Sequence, residues 1–480
     1  MDDEENTNVS YNKQVAGLVL AFAVMLGLHF GPTLPGLNPQ GQSVLGVFFW
    51  FIICMISEAL PKAVVGIASP LFVVILGGFK IEDGFSAFTK NVFFLALGAF
   101  VYAAVMMGTP LGKRIAITVT NYLRSTRVVK ILLGLSLADV AIGGVLPTVS
   151  ETALFLPIAK GVTSLMQGKE HLPEVKRINN ALILLITGLV PLFTGTLILT
   201  SHFPNIMLVG TLEEIGIYIS WTDWLILNLP LWGLLVIMFL YVVWFFKLWK
   251  LEIPGADEEL PKIKQELGKI TWPEIWALGA LFIALFLWIT EKQLHNIKTG
   301  MVALILVLLV FLPFGKIEFR KINKYIMWDI WVLLGGAISL GGALYKSGAV
   351  SWLAGFIVEP IKAGNITNPI IVLLIVVFGF HIARAGMVSA VAMGATFIPL
   401  TMAVASELGL STLPFTLIVI NCLSYAFFLP MSITAFLIAW GASEMSMADV
   451  IKFGVPLSVI SNLYVIFVQG AWLMVLGYTF

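Results

Sequence analysis

The sequence predicts an all-α polytopic membrane protein, with about eleven transmembrane helices and two re-entrant hairpins in two inverted-topology repeats. Three observations carry this. Hydrophobic residues make up 59% of the chain and charged residues 11%, whereas a soluble domain draws about a quarter of its residues from Asp, Glu, Lys and Arg. The charges cluster between long apolar runs. Two of those runs are too long for one helix and are interrupted by Gly and Pro at comparable places.

A span needs roughly 20 mostly apolar residues. The runs that qualify lie near 14–30, 43–58, 63–79, 92–109, 181–203, 223–246, 273–290, 299–314, 329–346, 412–437 and 453–478. The acidic start, MDDEENTNVSYNK, lacks the basic region of a cleaved signal peptide, so the first run is expected to stay as a helix. The two over-long runs are 131–166, broken by Gly143, Gly144 and Pro147, and 368–405, broken by Gly379, Gly386 and Gly394. Each reads as a hairpin with a non-helical tip, which membrane depth permits only where protein or a wet cavity satisfies the backbone.

With the N-terminus in the cytoplasm and both runs folded as hairpins, one side receives Lys113, Arg114, Arg124, Arg127, Lys130, Lys169, Lys176, Arg177, Lys247, Lys250, Lys262, Lys264, Lys269, Lys316, Arg320, Lys321 and Lys324. The other keeps Lys80, Lys90, Lys292, Lys298, Lys346 and Lys362. Basic residues favour the cytoplasmic face, and reading only one hairpin as two spans would destroy the bias. The chain then divides into a tail and first helix (1–42), a first repeat (43–246), a cytoplasmic linker (247–272) and a second repeat (273–480). Leu95, Gly98, Ala99 and Ala116 correspond at a constant offset to Leu333, Gly336, Ala337 and Ala354. ALFLPI (153–158) matches ATFIPL (395–400), and each hairpin precedes a helix broken by polar residues, TGTLILTSHFPN (194–205) and LPMSITAF (429–436). Paired broken segments in two halves put a small-solute site where the breaks meet, near the bilayer midplane.

Several function classes drop out. A net charge of +1 provides no nucleic-acid patch, and no P-loop, zincin motif or nucleophile elbow is present, so no enzyme is expected. Cys54 and Cys422 lie in apolar runs and read as small buried hydrophobes.

Ionisable residues inside apolar runs are functional candidates because burying them is costly. Glu151, beside the first tip, would coordinate a coupling cation or take up a proton; the alternative is a helix cap. Arg384, on the way to the second tip, suits a carboxylate or sulfate, or would neutralise Glu151 or Asp139. His202 and His381 are protonatable, though each would also serve as a plain hydrogen-bond partner. Thr148, Ser150, Thr152, Thr194, Thr196, Thr200, Ser201, Asn205, Ser389, Ser432 and Thr434 place hydroxyls and an amide at the breaks. Singly such hydroxyls mostly bond their own helix; as a cluster they suit a cation or an anion.

The order of several segments resembles the divalent anion:sodium symporter family. They are WFIICMISEALPKAVVGIASPLFVVILGG (50–78), FLALGAFVYAAVMMGTPLGKRIA (94–116), WVLLGGAISLGGALYKSGAVSWLA (331–354) and MSMADVIKFGVPLSVI (445–460). The resemblance spans nearly the whole chain. It implies a carrier of di- and tricarboxylates, sulfate and related anions, with no cofactor and with sodium or protons as coupling ions. The family's Ser-Asn-Thr tips fall on Pro147-Thr148-Val149, followed by Ser150-Glu151-Thr152, and on Ser389-Ala390-Val391. Its Thr-Pro-Pro-Asn breaks fall on His202-Phe203-Pro204-Asn205 and Ile433-Thr434-Ala435-Phe436. The resemblance thus implies substrate contact at Thr148, Val149, Ser150, Ser389, Ala390, Val391 and Thr434, and Arg384 joins them as the buried guanidinium nearby. Coupling falls to Glu151, Thr152, Thr196, Ser201, His202, Asn205 and Ser432, with no metal beyond a sodium ion. Neither tip has the family's asparagine, so sodium is expected not to be strictly required. Symport and exchange both fit, as do a cation/proton antiporter or an oxyanion transporter of the same broad fold; a membrane receptor or scaffold is the non-transport alternative. The expected partners are a small anion, the lipid bilayer of the cytoplasmic (inner) membrane and a second copy of the chain, with no nucleic acid.

Overall fold

The computed structural model describes residues 11–122, 125–169, 171–385 and 387–479. The first ten residues, Arg124 and Gly386 lie outside them. Among the described residues, eight helices are long and apolar enough to cross a membrane: Tyr11–Phe30, Pro39–Ser57, Asn91–Gly108, Pro173–Leu197, Trp272–Thr290, Trp328–Lys346, Ala390–Glu407 and Met447–Val475. A ninth span arises if Trp221–Leu227 and Leu231–Phe245, bent by 56°, are counted together. The bend falls at Asn228–Pro230, where proline cannot donate a helical hydrogen bond. The chain is an integral membrane protein whose apolar runs are mostly helical.

Among the expected spans shorter than a full crossing are Lys62–Gly77 and Thr299–Val310. Both are central all the same, because each receives a glycine-rich helix from the other half of the chain. Gly98 presses on Thr299–Val310, where an added Cβ would come 2.5 Å from the Ala303 methyl and 2.8 Å from its carbonyl oxygen. Gly336 presses on Lys62–Gly77, where the same atom would collide with the Gly66 backbone. Gly98 and Gly336 are the matched residues of the two related segments, and they make equivalent contacts in exchanged halves.

Each of these glycine-rich helices runs on into an amphipathic one, Leu111–Tyr122 and Ala349–Ala363. Glu58 ends Pro39–Ser57 in the left-handed conformation (φ 51°), with its N–H bonded to the Cys54 carbonyl, which is a folding role. The linker is more ordered than a plain loop. Ala256–Glu266 is helical, and the strand-like Leu251–Ile253 stretch bonds back to the base of the first over-long run (Val128 N to Leu251 O 3.0 Å, Ile253 N to Thr126 O 2.7 Å).

The over-long runs each form two helices joined by a short turn: Val128–Gly143 with Thr148–Ser164, and Pro369–Arg384 with Ala390–Glu407. The helices that follow them are broken. Pro173–Leu197 gives way at Ile198–His202 before Phe203–Glu214, and Thr412–Ser424 gives way at Tyr425–Ile433 before Thr434–Ala442. From Ile178 to Leu197 the first of these helices is buried in protein, and it has a π-helical turn at Leu184–Leu189. That turn frees the Thr187 carbonyl to accept from Thr152 Oγ1 at 2.9 Å.

Candidate functional site

The first tip and the first break interlock through hydroxyls. Ser201 Oγ donates to the Gly143 carbonyl at 2.5 Å, and Thr148 Oγ1 donates to the Ser201 carbonyl at 3.1 Å. Thr148 Oγ1 also lies 3.3 Å from His202 Nδ1. Asn205 turns its amide nitrogen on the carbonyls that the break strands, Gly195 at 2.7 Å and Ile198 at 3.0 Å. Buried backbone acceptors need such partners, so Asn205 holds the break open. Thr196 Oγ1 bonds the Leu192 carbonyl within its own helix. Thr152 Oγ1 bonds the Thr148 carbonyl as well as that of Thr187.

The second unit is built alike. Ser389 caps Ala390–Glu407 by accepting from Ala392 N, and Thr434 Oγ1 donates to the Val388 carbonyl at 3.3 Å, tying tip to break. The two units also touch each other. Gly188 sits against Ala439 and Phe436, the Tyr425 hydroxyl lies against Thr196, and the Arg384 charge reaches His202. Sequence matching alone would have left them as two separate breaks.

Arg384 is the most telling side chain. It is 2% exposed, and Nη2 donates to the Ser432 carbonyl at 3.0 Å. Nε and Nη1 have no partner, and neither does the buried Ser432 hydroxyl beside them. No ion pair among the described residues includes Arg384, so it does not neutralise Glu151. A guanidinium is always charged, and its planar donors match a carboxylate or sulfate. The arrangement is a positive, donor-rich spot at the junction of the second tip and break, with the N-terminus of Thr434–Ala442 alongside.

Glu151 occupies the first turn of Thr148–Ser164, fully buried, with Thr194 Oγ1 at 2.9 Å from both its oxygens. Asp139, equally buried one turn before Gly143, lies against it. Asp139 was visible as an ionisable residue in an apolar run, but the sequence showed no reason to place it across the tip from Glu151. Gly143 permits the approach, since a side chain there would overlap Glu151 and Thr194.

The predicted residues therefore divide in a simple way. Thr148, Ser201, His202 and Asn205 build the first break, while Arg384, Ser389, Ser432 and Thr434 build the second. Glu151 and Thr152 lie just behind the first tip. Ser150 and Val391 are buried at the tips, and Val149 and Ala390 are half-buried there. His381 stands apart, with Nδ1 on the Val377 carbonyl at 2.8 Å and Nε2 near Asn462.

Comparison with known proteins agrees with this architecture. A sodium-dependent dicarboxylate transporter, SdcS, of Staphylococcus saprophyticus is 26% identical over 96% of this chain and 92% of its own length. The protein of the same name from Staphylococcus aureus is 24% identical over 92% of this chain and 90% of its own. A membrane protein of Cupriavidus necator is 26% identical over 92% and 89%. Among solved structures, the YdaH transporter of Alcanivorax borkumensis shares the fold, with a TM-score of 0.52 at 13% identity over 90% of this chain and 98% of that one. Residues 12–479 match the family described as the sodium:sulfate symporter transmembrane region, and the chain belongs to that family of transporters.

Proposed function

We propose that the chain is a secondary active transporter of small divalent anions, di- or tricarboxylates, which it moves by alternating access as symport or exchange. It works in the cytoplasmic membrane with its N-terminus inside, the orientation that the basic residues favour. Its two halves act as inverted repeats, and the two helix pairs are re-entrant hairpins whose tips meet the substrate. The exchanged glycine contacts, Gly98 on the second half and Gly336 on the first, support the repeat. The names of the Staphylococcus relatives support the dicarboxylate.

One observation carries the reading: the buried Arg384 guanidinium has unpartnered donors and, among the described residues, no ion pair. An uncompensated charge at membrane depth costs about 3 kcal/mol or more, which an entering anion removes. Ser432 and the N-terminus of Thr434–Ala442 add donors to the same spot, and Thr148 with His202 faces it from the first break. The test is counterflow of labelled succinate in proteoliposomes, measured for the unaltered protein and for Arg384→Lys. The variant keeps the charge and loses the planar fork, so its apparent succinate affinity should fall at least about tenfold, equivalent to roughly 1.4 kcal/mol. Unchanged affinity in Arg384→Lys, or no counterflow of any dianion by the unaltered protein, overturns the reading.

A further inference from the structure

A groove of about 470 Å³ runs along the outside of the molecule between the helices Leu231–Phe245 and Met447–Tyr464. Ile237, Leu240, Tyr241 and Trp244 form one wall, spaced i, i+3, i+4 and i+7 on a single helix face, and Pro456 and Ile460 form the other. The two helices are joined beneath it. Near Pro456, which has no N–H to give a helical bond, the Phe453 carbonyl accepts from the Tyr241 hydroxyl at 2.8 Å. The Phe453 ring packs against Tyr241 and Phe245, with ring centroids 5.4 and 5.1 Å apart.

The end of the groove nearest Trp244 is basic. There the chain leaves the helix through Lys247, held in the left-handed conformation (φ 54°), which glycine or asparagine adopts at lower cost. Leu248 N bonds the Val243 carbonyl at 3.0 Å, and the turn buries Leu248 while leaving Lys247, Trp249 and Lys250 exposed. The Leu251–Ile253 stretch then bonds Thr126–Val128, which brings the exposed Arg127 and Lys130 to the same end. No ion pair among the described residues includes Lys247, Lys250, Arg127 or Lys130. On the facing helix, Lys452 is 3.7 Å from Asp449, and the acid on the paired stretch is Glu252.

An apolar groove between spans that opens onto unpaired lysines matches the two parts of a lipid. An acyl chain supplies the dispersion contacts that the walls lack with each other. A phosphate of net negative charge meets the lysines, and basic pockets between spans hold such headgroups at the face where basic residues collect. A zwitterionic headgroup brings its own cation back beside the lysines and gains less. A second copy of the chain, packed about a two-fold axis, would set the same lysines against each other. Trp244 and Trp249, both exposed, suit the level of the headgroups.

We propose that this groove binds one anionic phospholipid, with an acyl chain between the two helices and its phosphate on Lys247 and Lys250. The inference goes beyond the transport reading and does not depend on it. Met447–Tyr464 also backs the second break. Ser458 Oγ accepts from Phe427 N at 2.7 Å, and Gly454 lies so close to the Phe427 carbonyl that a side chain there would overlap it. A lipid that steadies this helix therefore steadies the break that presents Ser432 to Arg384.

The purified protein is titrated with phosphatidylglycerol and, separately, with phosphatidylcholine of the same acyl chains, and bound lipid is counted by native mass spectrometry. The first phosphatidylglycerol should bind about tenfold or more tightly than the first phosphatidylcholine, the scale expected of two lysines. Lys247→Asn combined with Lys250→Gln should bring the two affinities together, and asparagine keeps the left-handed turn. Should the double variant fail to fold, Lys250→Gln alone must still lower the preference severalfold. Ile460→Trp, which fills the groove, should weaken both lipids, whereas Val459→Trp, on the same helix but outside the groove, should weaken neither. Phosphatidylglycerol should also raise the melting temperature of the unaltered protein more than phosphatidylcholine does, a difference that the lysine variants lose. The proposal is overturned if the two lipids bind alike, if the preference survives loss of the lysines, or if Ile460→Trp behaves as Val459→Trp does. Cross-linking of Trp244→Cys to its own copy in vesicles would give the groove to a second chain and overturn it equally.

Discussion

Arg114 is expected to be the most costly single charge to remove from the periphery of the fold. It lies on the amphipathic helix Leu111–Tyr122, with Nε 2.7 Å and Nη2 3.3 Å from the two oxygens of Glu274. Its other hydrogen bonds go to three carbonyls at the end of the linker, Gly268 at 2.9 Å, Leu267 at 3.1 Å and Lys269 at 3.2 Å. Glu274 is 0% exposed and Arg114 15%, so the pair is largely out of water. Removing one partner of such a pair costs about 3–5 kcal/mol, because the other charge is left buried. Glu274 keeps two bonds from Thr271, each 2.7 Å, which places Arg114→Ala at the lower end, about 3 kcal/mol. Arg114→Lys retains the charge but cannot reach all these acceptors at once, so it should recover roughly half. Cys54 and Cys422 are free and buried, and a thiol-reactive dye therefore reports unfolding directly. The expected order of thermal stability is unaltered protein, then Arg114→Lys, then Arg114→Ala. A loss below about 0.5 kcal/mol in Arg114→Ala, the scale of an ordinary surface change, would refute the argument.

Gly336→Ala should destabilise sharply, because its methyl meets backbone at Gly66, whereas Gly379→Ala, with nothing within 4 Å, should be neutral or slightly stabilising in the same assay. At the opposite end of the spans from Arg114, Lys346 bonds Asp83 at 2.9 Å and lies 3.8 Å from Glu214, on the helix that follows the first break. The Lys346 hydrogen bond and charge hold the Asp83 carboxyl below its usual range. The folded state therefore gains from this contact above the ordinary carboxylate pKa and loses it as pH falls through the lowered one. Lys346→Met should abolish that acid-side dependence of stability, and an unchanged acid limb would count against the contact.

The helices were legible because lipid imposes so plain a rule. A run of apolar residues long enough to cross must be helical, and the charges between runs mark its ends. The hairpin turns were legible for a related reason, since Gly143, Gly144 and Pro147 disfavour a continuous helix. What the sequence concealed is everything set by approach in three dimensions. Nothing in LLITGL announces a π-helical turn, because the turn exists to present the Thr187 carbonyl to Thr152. Asn205 matched a family position associated with ions, yet its amide nitrogen faces backbone carbonyls. Asp139 and Glu151 are separated by a turn whose geometry depends on Gly143 having no side chain. The close approaches of Gly98 and Gly336, by contrast, were legible as small residues at matched places, since such contacts can be made only by very small residues.

The charges at the core also constrain how the carrier can move. Arg384 carries one positive charge and belongs to no ion pair among the described residues, so a dianion bound beside it leaves one negative charge uncompensated. Crossing a membrane potential costs or releases about 2.3 kcal/mol per charge per 100 mV. Net movement of a dianion without an equal positive charge is therefore electrogenic, while exchange of one dianion for another leaves the core with the same charge on both strokes. Clamping the potential with potassium and valinomycin should thus change the rate of net succinate uptake and leave succinate–succinate exchange unaffected. Net uptake indifferent to potential would mean that cations of equal charge accompany the dianion, and the charge left uncompensated at Arg384 would not be what crosses.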